Sequence, residues 1–476
     1  MSKKRSEKSR GALYTLATTN YKGKYMNKFT KNKLIKDFKF LVKTFEEVHP
    51  DLYACVDEQQ KKKEAEEIIS QFTDDMTMID FHNITGKYVA SFKDGHTFFY
   101  FFNNYIFQQK DYKLFHPFLD FKNSKAFIYK TVEGIVEDGD ELLEINGNKV
   151  SDMIPEMRKY NSAETDSFRK LLVNGKYLVY FDFLFNIKSP FKIKVERNGK
   201  IFETEFEGKS LNELQKERKT KKQNNNKSLK PLFKIEDNIG IFTIKSFGFH
   251  KEESNDFKKF FDDSFQEIKS KKISKIIIDV RGNGGGNSSL AGYIAQYLTE
   301  KPIYEYDRYL WKSSQQIRDF VKDDVENNTH GYYTKKSYEK LLSVKLGECL
   351  EIDSKSDENP FKREQIFKGE VFVLSDGACF SSTTDFIAMI KDFRLGKNVG
   401  TQTGGLPNSF GDCYYFDLPN TKLKLSVSHK YFIRPSGNER DNDLTPDFVV
   451  SQTDEDKKNG IDTVMEFAKN LSLNKT

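Results

Sequence analysis

The chain is poor in cysteine and contains no long apolar segment. Only four of its 476 residues are cysteines, and none of them has CxxC or Cys/His metal-site spacing. A disulfide scaffold and a structural zinc site are therefore excluded, and reducing or redox-indifferent surroundings fit best. No stretch approaches the ~20 consecutive apolar residues that cross a bilayer, which agrees with the mean hydropathy of −0.68.

The chain also lacks an excess of charge of one sign. Lys and Arg total 77, and Asp and Glu total 71, so the net charge of +6 gives no argument for a nucleic-acid partner. The amino terminus is basic but has no apolar segment of the length that a secretory signal needs. We therefore expect a cytoplasmic protein as the sequence stands, or an exported one if a leader has been removed.

The length predicts two or three domains, and changes in composition suggest where they lie. We predict a disordered basic tail (1–28), a helical region (29–106), a β module (107–209), a polar linker (210–232), an α/β core (233–455) with a lid or insertion (303–368), and a final helix and tail (456–476). The Asn- and Lys-rich linker cannot bury a core face, so we interpret it as solvated rather than as a nucleic-acid patch.

The amino-terminal region is predicted to be mainly helical. Apolar residues recur at helical spacing from Lys31 to Val48, and further helices are expected over 59–72 and 78–92. Asp94 and Gly95 then form a turn dipeptide, and the aromatic run that follows predicts a buried strand. His96 is thus expected at the junction of turn and strand.

The module over 107–209 is predicted to be mostly β, with strand-like runs at 126–131, 141–145, 191–196 and 201–206. Its segment GIVEDGDELLEINGNKV resembles the strand, Asn-Gly turn and helix of a PDZ domain. PDZ domains bind peptide carboxyl termini as an added strand, so the resemblance implies a peptide-sensing or gating role. A β domain without a ligand is the alternative.

The carboxyl-terminal half alternates strands and helices, which predicts an α/β core. Its segment KIIIDVRGNGGGNSSL indicates a buried strand, a glycine-rich turn and a helix. The backbone N–H groups of such a turn suit a phosphate or a developing oxyanion. Because the spacing fits neither a P-loop nor a dinucleotide fingerprint, nucleotide binding is disfavoured.

A second segment, VFVLSDGACFSSTTDFIAMIKD, again predicts a strand, a short turn and a helix. A serine at the start of that helix lies near the positive end of the helix dipole and near unpaired backbone donors, as an acyl-transfer nucleophile requires. Taken alone, however, Ser and Thr at a helix start usually act as caps.

Together the two segments resemble the S41 serine peptidases, a family that includes tail-specific and tricorn-core peptidases. The resemblance covers about 233–450 and implies a crotonase- or ClpP-like spiral of ββα units, often preceded by a PDZ domain. It places Ser381 at the nucleophile position, with Ser382 as the nearest rival. The implied oxyanion donors are the N–H of Ser382 and one N–H of the glycine turn, with Gly285 first and Gly284 next.

The resemblance also bears on the general base. Tail-processing members use a lysine in a Phe-Gly-Lys sequence, where this chain has Gly404, Gly405 and Leu406. Leucine cannot transfer a proton, so a Ser-Lys dyad at that place is excluded, and the two glycines are expected to serve the substrate strand or the nearby loop.

The tricorn-like branch instead uses a histidine in a DGHT or DSHT sequence, and Asp94-Gly95-His96-Thr97 fits that pattern. Imidazole also has a suitable pKa for a base near neutrality. In that branch a glutamate shortly before a Pro-Asp orients the histidine. Glu439 is the candidate, but it lies one position off the usual spacing, so Asp441 or no acid at all stays open. The site is expected to form only when the two parts of the chain pack together.

The resemblance thus implies hydrolysis of peptide bonds in proteins or peptides through an acyl-enzyme, with no metal or organic cofactor. The main alternative is a non-catalytic ligand- or peptide-binding protein on the same scaffold. An acyl-CoA enzyme on the related crotonase fold and a scaffold that holds peptide termini are further alternatives. Substrate, cleavage specificity and oligomeric state are left open.

Overall fold

The computed structural model describes residues 27–100, 112–122, 124–130, 134–214, 216, 229–249, 251–329, 331–355 and 365–472. The chain divides into two compact units. The amino-terminal unit comprises Thr18–Asn226 and Cys413–Ser428, and the carboxyl-terminal unit comprises Lys227–Asp412 and His429–Thr476. Within the described ranges, no helix is long and apolar enough to span a membrane.

The amino-terminal unit begins with three helices, α1 (Lys31–Val48), α2 (Glu58–Gln71) and α3 (Met78–Ala90). The predicted bounds of α1 are confirmed, because its apolar residues fall on one buried face at a spacing of three and four residues. The buried apolar residues of α1 are Leu34, Phe38, Leu41, Phe45 and Val48. A capping box between Thr77 and Asp80 fixes the start of α3.

The rest of this unit is a sheet packed against two helices. The sheet contains β3 (Phe118–Lys122), β4 (Lys125–Lys130), β5 (Glu141–Ile145), β6 (Asn148–Lys149), β7 (Phe191–Arg197) and β8 (Lys200–Phe206). Outside it lie β1 (Phe98–Phe99), β2 (Lys113–Leu114) and β9 (Lys209–Ser210). The antiparallel order is β3-β4-β5-β7-β8, with β6 beside β5 and a separate β2-β9 pair. The helices are α4 (Val150–Arg158) and α5 (Asp166–Phe183).

Helix α5 is a long helix in the module over 107–209 that the sequence did not predict. It is 18 residues long and buries aromatic residues, among them Tyr177, Tyr180 and Phe181, against the sheet. Aromatic and β-branched residues favour strands by composition, so the segment carried no strong helical signal before its burial pattern was known.

The carboxyl-terminal unit contains a six-stranded sheet with helices on both faces, which confirms the predicted α/β class. The sheet order is β10 (Leu232–Glu236), β11 (Ile239–Thr243), β12 (Lys275–Asp279), β15 (Glu370–Ser375), β16 (Lys397–Gly400) and β19 (Phe448–Val449). All neighbours are parallel except β10 and β11. Strand β12 is buried along its whole length, as expected for a strand covered on both faces.

The helices of this unit divide between the two faces of the sheet. Helices α6 (Lys251–Ser270), α7 (Ser288–Ala295) and α10 (Ser382–Asp392) share one apolar core with the sheet. Helix α12 (Thr463–Asn470) contributes to a second, smaller core with Ile277 and Phe372. The short helix α11 (Asp454–Lys458) precedes α12 in the chain.

The predicted lid or insertion over 303–368 contains more β structure than its weak helical pattern indicated. Its elements are β13 (Arg308–Lys312), α8 (Gln315–Asn327), α9 (Lys335–Leu342) and β14 (Cys349–Asp353). Strands β13 and β14 pair antiparallel, and β13 also pairs with residues 430–433 of β18 (Lys424–Ile433). Strand β18 forms a hairpin with β17 (Ser409–Asp417), and the tip of this hairpin belongs to the amino-terminal unit.

Candidate active site

Ser381 lies in a strained turn between β15 and α10. Its φ of 54° and ψ of −131° fall in a region that residues with a Cβ rarely adopt. Its side chain makes no capping hydrogen bond with the helix, so the alternative interpretation of Ser381 as an ordinary cap does not describe the structure. Such strain costs on the order of 1–3 kcal/mol and persists mainly at functional sites.

Burial distinguishes Ser381 from its rival, Ser382. Ser381 is partly exposed, whereas Ser382 retains only 2% of its accessible surface. The Oγ atom of Ser382 is buried and has no hydrogen-bond partner among the described residues. A substrate therefore has better access to Ser381, which also precedes the positive end of the 11-residue helix α10.

The glycine-rich turn after β12 packs directly against the Ser381 turn. Gly285 has a φ of +97°, and a Cβ built there would lie 2.6 Å from the carbonyl oxygen of Phe380 and 2.8 Å from Cβ of Ser381. The same atom would lie 3.0 Å from the backbone nitrogen of Ser382. No side chain fits this space, and the close approach brings the glycine backbone beside the serine.

Two hydrogen bonds join these turns. The N–H of Phe380 donates to the carbonyl oxygen of Asn283 at 3.2 Å, and the N–H of Gly282 donates to Oδ1 of Asp376 at 2.9 Å. The N–H of Gly285 donates to Oδ1 of Asn283 at 2.9 Å. An oxyanion that used the Gly285 donor would have to share it with Asn283.

An arginine fixes the base of the glycine turn. Arg281 donates from Nε to Oδ1 of Asp279 at 2.9 Å and from Nη2 to Oδ2 of Asp462 at 2.7 Å. Asp462 is also the N-cap of α12. Asp279 and Arg281 of the glycine-rich segment therefore connect β12 to helix α12 through Asp462, a role that the sequence alone did not reveal.

Gly404 and Gly405 pack beside the Ser381 turn. The N–H of Gly404 donates to the carbonyl oxygen of Cys379 at 2.9 Å. A Cβ on Gly405 would lie 2.8 Å from Oγ1 of Thr384 on α10. The structure thus brings both predicted glycines, the glycine-rich turn and Ser381 together in the carboxyl-terminal unit.

His96 belongs to the amino-terminal unit, where Asp94 organises the turn around it. Oδ1 of Asp94 accepts the backbone N–H of His96 at 2.9 Å. Oδ2 accepts the hydroxyls of Thr97 at 2.5 Å and Ser428 at 2.6 Å. The carbonyl oxygen of His96 accepts Oγ–H of Ser426 at 2.8 Å, so β1 and β18 are tied together at this point.

A second histidine supports the same aspartate. Nδ1 of His49 accepts the N–H of Asp51 at 3.1 Å, so its Nε2 is the nitrogen that donates to Oδ2 of Asp94, at 3.2 Å. Burial raises the pKa of Asp94, but the hydrogen bonds from His49 and Ser428 help to outweigh it and hold that pKa well below its usual range. Asp94 is therefore a buried anion that shapes the histidine turn.

The sequence did not indicate Glu164, which lies 69 residues after Gly95 and accepts the N–H of Gly95 at 3.1 Å. An oxygen of Glu164, an oxygen of Asp94 and a ring nitrogen of His96 lie within 4.8 Å of one another. The side chain of His96 is 13% exposed. No local motif surrounds Glu164, so only the fold could identify it.

The candidate third residue, Glu439, has an ion-pair partner in its own unit. It contacts Arg308, which also pairs with Asp307, and its side chain is 49% exposed. Asp441, the alternative, contacts Nη1 of Arg434 at 3.1 Å. Both carboxylates are thus paired with arginines of the carboxyl-terminal unit.

Comparison with protein families identifies this arrangement. Residues 238–450, just under half of the chain, match peptidase family S41. These residues belong to peptidase family S41. The resemblance drawn from the two glycine- and serine-containing segments is confirmed, and this S41 chain is a serine peptidase that acts on protein substrates.

Solved structures of mature CPAF have the same fold as this chain. The structure of mature CPAF complexed with lactacystin is 15% identical and has a TM-score of 0.64 over 92% of this chain and 97% of that one. A second structure of mature CPAF, also 15% identical, has a TM-score of 0.61 over 92% and 96% of the two chains. The photosystem II D1 C-terminal processing protease, 11% identical, has a TM-score of 0.43 over 88% and 92%.

A search of curated protein sequences finds no match.

Proposed function

We propose that this S41 peptidase hydrolyses peptide bonds with Ser381 as nucleophile and His96 as general base. Oγ of Ser381 attacks the scissile carbonyl carbon while Nε2 of His96 accepts the hydroxyl proton. The tetrahedral intermediate collapses to an acyl-enzyme, and the proton passes to the leaving amine. A water molecule, deprotonated by His96, then releases the acid and restores Ser381.

The observation that carries this proposal is the close packing of Gly285 against Ser381. A carbonyl attacked by Ser381 develops negative charge on its oxygen, and backbone N–H groups within hydrogen-bond reach stabilise that charge. The Ser382 N–H and one N–H of the glycine turn are the proposed donors. Gly285 lies nearest to Ser381, and Gly284 is the alternative, because Asn283 already uses the Gly285 N–H.

The third residue of the proposal is Glu439, which would orient His96, with Asp441 as the alternative. Glu439→Gln is the direct test, because it removes the charge and retains the shape of the side chain. If Glu439 orients the base, kcat falls at least tenfold with little change in KM. An unchanged kcat would assign Glu439 to its ion pair with Arg308.

The two units also support a proposal about architecture. The mostly parallel sheet with helices on both faces is consistent with the crotonase- or ClpP-like core of S41 peptidases. The antiparallel sheet with α4 and α5 is consistent with a PDZ-like module that presents a sheet edge to peptides. We propose that this module selects or admits the substrate.

The test is cleavage of an unbiased peptide mixture by the wild type, Ser381→Ala and His96→Ala, followed by mass spectrometry. We expect the wild type to cut at defined residues and both variants to lose this activity. Because mature CPAF has been solved with lactacystin, lactacystin is also the first inhibitor to test on the wild type.

Cleavage that survives in Ser381→Ala would contradict the assigned nucleophile and direct attention to Ser382. No cleavage by a folded wild type would instead favour a ligand- or peptide-binding protein on the same scaffold. Thermal unfolding of all three proteins provides the control for folding.

A further inference from the structure

Glu164 is a partly buried residue of the amino-terminal unit that contacts the His96 turn. One of its oxygens, Oε1, accepts the N–H of Gly95 at 3.1 Å. The other, Oε2, is buried and has no hydrogen-bond partner among the described residues. Burial of an unpartnered carboxylate oxygen costs free energy, so Oε2 is an acceptor that a nearby N–H group would stabilise.

The only other carboxylate in this cluster is already fully engaged. Asp94 accepts hydrogen bonds from the His96 backbone, Thr97, Ser428 and His49. Its Oδ1 atom lies 3.9 Å from Nδ1 of His96, beyond hydrogen-bond distance. Asp94 therefore builds the turn, and the oxygen available to the imidazole comes from Glu164, within 4.8 Å of the other two groups.

We propose that Glu164 is a positioning residue for His96, whose carboxylate accepts Nδ1–H of the imidazole and so leaves Nε2 as the basic nitrogen. This rests on the proposed role of His96 as general base. Glu439 would otherwise orient the same imidazole, so the Glu164→Gln and Glu439→Gln variants decide between the two carboxylates. The hydrogen bond is expected to tighten when substrate binds, because such contacts are often long in unliganded enzymes. Glu164 acts through His96 and does not touch the substrate.

The charges around Glu164 give this role a pH dependence. Burial, followed by repulsion from the anionic Asp94, raises the pKa of Glu164 to about 8, while the Gly95 N–H and Arg169 oppose the rise. Other titratable groups near the cluster include His96, His49 beyond Asp94, and Cys55 with its neighbours Lys93 and Asp51. The ionised Glu164 is the stronger acceptor of Nδ1–H and the form that stabilises an imidazolium, so kcat should increase as the pH rises through about 8.

The first test reads the tautomer of His96 without requiring turnover. The full chain is labelled with ¹⁵N-histidine, and two-bond ¹H–¹⁵N correlation spectra distinguish the Nδ1–H and Nε2–H tautomers. The His96→Ala spectrum assigns the signals. Above the Glu164 pKa we expect Nδ1–H in the wild type and a shift toward Nε2–H in Glu164→Gln. The same tautomer and the same titration in both proteins would overturn the proposal.

The second test is kinetic and uses Glu156→Gln as a matched control. Glu156 lies on α4 in the same unit, where it contacts Lys87 and Lys159 rather than the histidine turn. We expect Glu164→Gln to lower kcat roughly 10- to 100-fold with KM nearly unchanged and to abolish the increase near pH 8. Glu156→Gln should stay within about twofold of wild type.

Glu164→Asp tests whether the loss of kcat in Glu164→Gln has a purely structural cause. It restores the charge on a shorter side chain, so it should recover part of kcat and the increase with pH. If Glu164→Asp has a kcat as low as that of Glu164→Gln, and if both variants keep the wild-type pH profile, Glu164 does not position His96. A wild type without peptidase activity but with the expected tautomer shift would refute the proposed function and leave the Glu164–His96 interaction in place.

Discussion

The Ser381 turn and the His96 turn are built in different ways. Backbone contacts dominate the first: Gly285 packs on Ser381, and backbone N–H groups donate both hydrogen bonds that join the two loops. Side chains from distant parts of the sequence form the second, with Asp94 bound to His49 and Ser428. A turn built by backbone contacts can be recognised in the sequence by glycines at fixed spacing. A turn built by side chains has partners from distant segments, which no local motif indicates.

The largest effect expected from this difference concerns the hydroxyl of Ser381. On the best peptide found in the cleavage experiment, Ser381→Ala should lower kcat by roughly 10⁴-fold or more, because no other group forms the acyl-enzyme. Ser382→Ala, which removes a buried hydroxyl but keeps the proposed backbone donor, should lose less than about tenfold. Equal losses in the two variants would show that the hydroxyls do not have separate roles.

Adding a methyl group at Gly285 tests whether the close backbone packing against Ser381 is required for activity. Gly285→Ala should lower kcat roughly 10²- to 10³-fold, because its Cβ would displace Phe380 and Ser381 and because its φ is +97°. Gly377→Ala is the control, since its Cβ would meet no atom within 4 Å. Steady-state kinetics provides the measurement, and full activity of Gly285→Ala would contradict the close packing.

Loss of Asp94 tests the side-chain-built turn. Asp94→Ala should destabilise the protein by about 3 kcal/mol, because the buried donors of His49, Ser428 and Thr97 lose their acceptor. The pKa of Asp94 is lowered on folding, so its stabilisation is present above an unfolded pKa of about 4 and is lost as the pH falls through the folded value. Urea unfolding should therefore show that the difference in free energy of unfolding between wild type and Asp94→Ala becomes smaller in acid. A difference that is constant with pH would argue against an ionised Asp94.

The smallest expected effect is the loss of free energy of unfolding that accompanies ionisation of Glu164 at high pH. Its pKa rises to about 8 on folding from an unfolded value of about 4.3, so the folded state binds the proton more tightly and loses stability as the pH increases between these values. Glu164→Gln removes this loss and should be more stable than wild type by about 1–2 kcal/mol at pH 9, but not at pH 5. Thermal unfolding at the two pH values measures it, and no gain at pH 9 would contradict the raised pKa.

Local patterns in the sequence predicted the parts of the fold that depend on local physics. The heptad-like spacing from Leu34 to Val48 predicted α1 with its bounds, and the run of isoleucines before the glycines predicted β12. Helix α5 and strands β13 and β14 were missed, because aromatic composition concealed the first and because long-range pairing with β18 determines the others.

The candidate site shows the same division. Ser381, Gly285, Gly404 and Gly405 lie in motifs with fixed spacing, and the structure brings them together. His49 and Glu164 act on the Asp94–His96 turn through side chains supplied from other segments, so no spacing rule could find them. Glu439 was placed by a spacing that already differed by one residue, and it pairs with Arg308.

The most direct test of the central claim maps the residue modified by a fluorophosphonate, which phosphonylates activated serines. The wild type and His96→Ala are treated with the reagent, digested and sequenced by mass spectrometry. The account predicts a single adduct on Ser381 in the wild type and little or none in His96→Ala. An adduct on Ser382, or equally rapid labelling of Ser381 without His96, would contradict it.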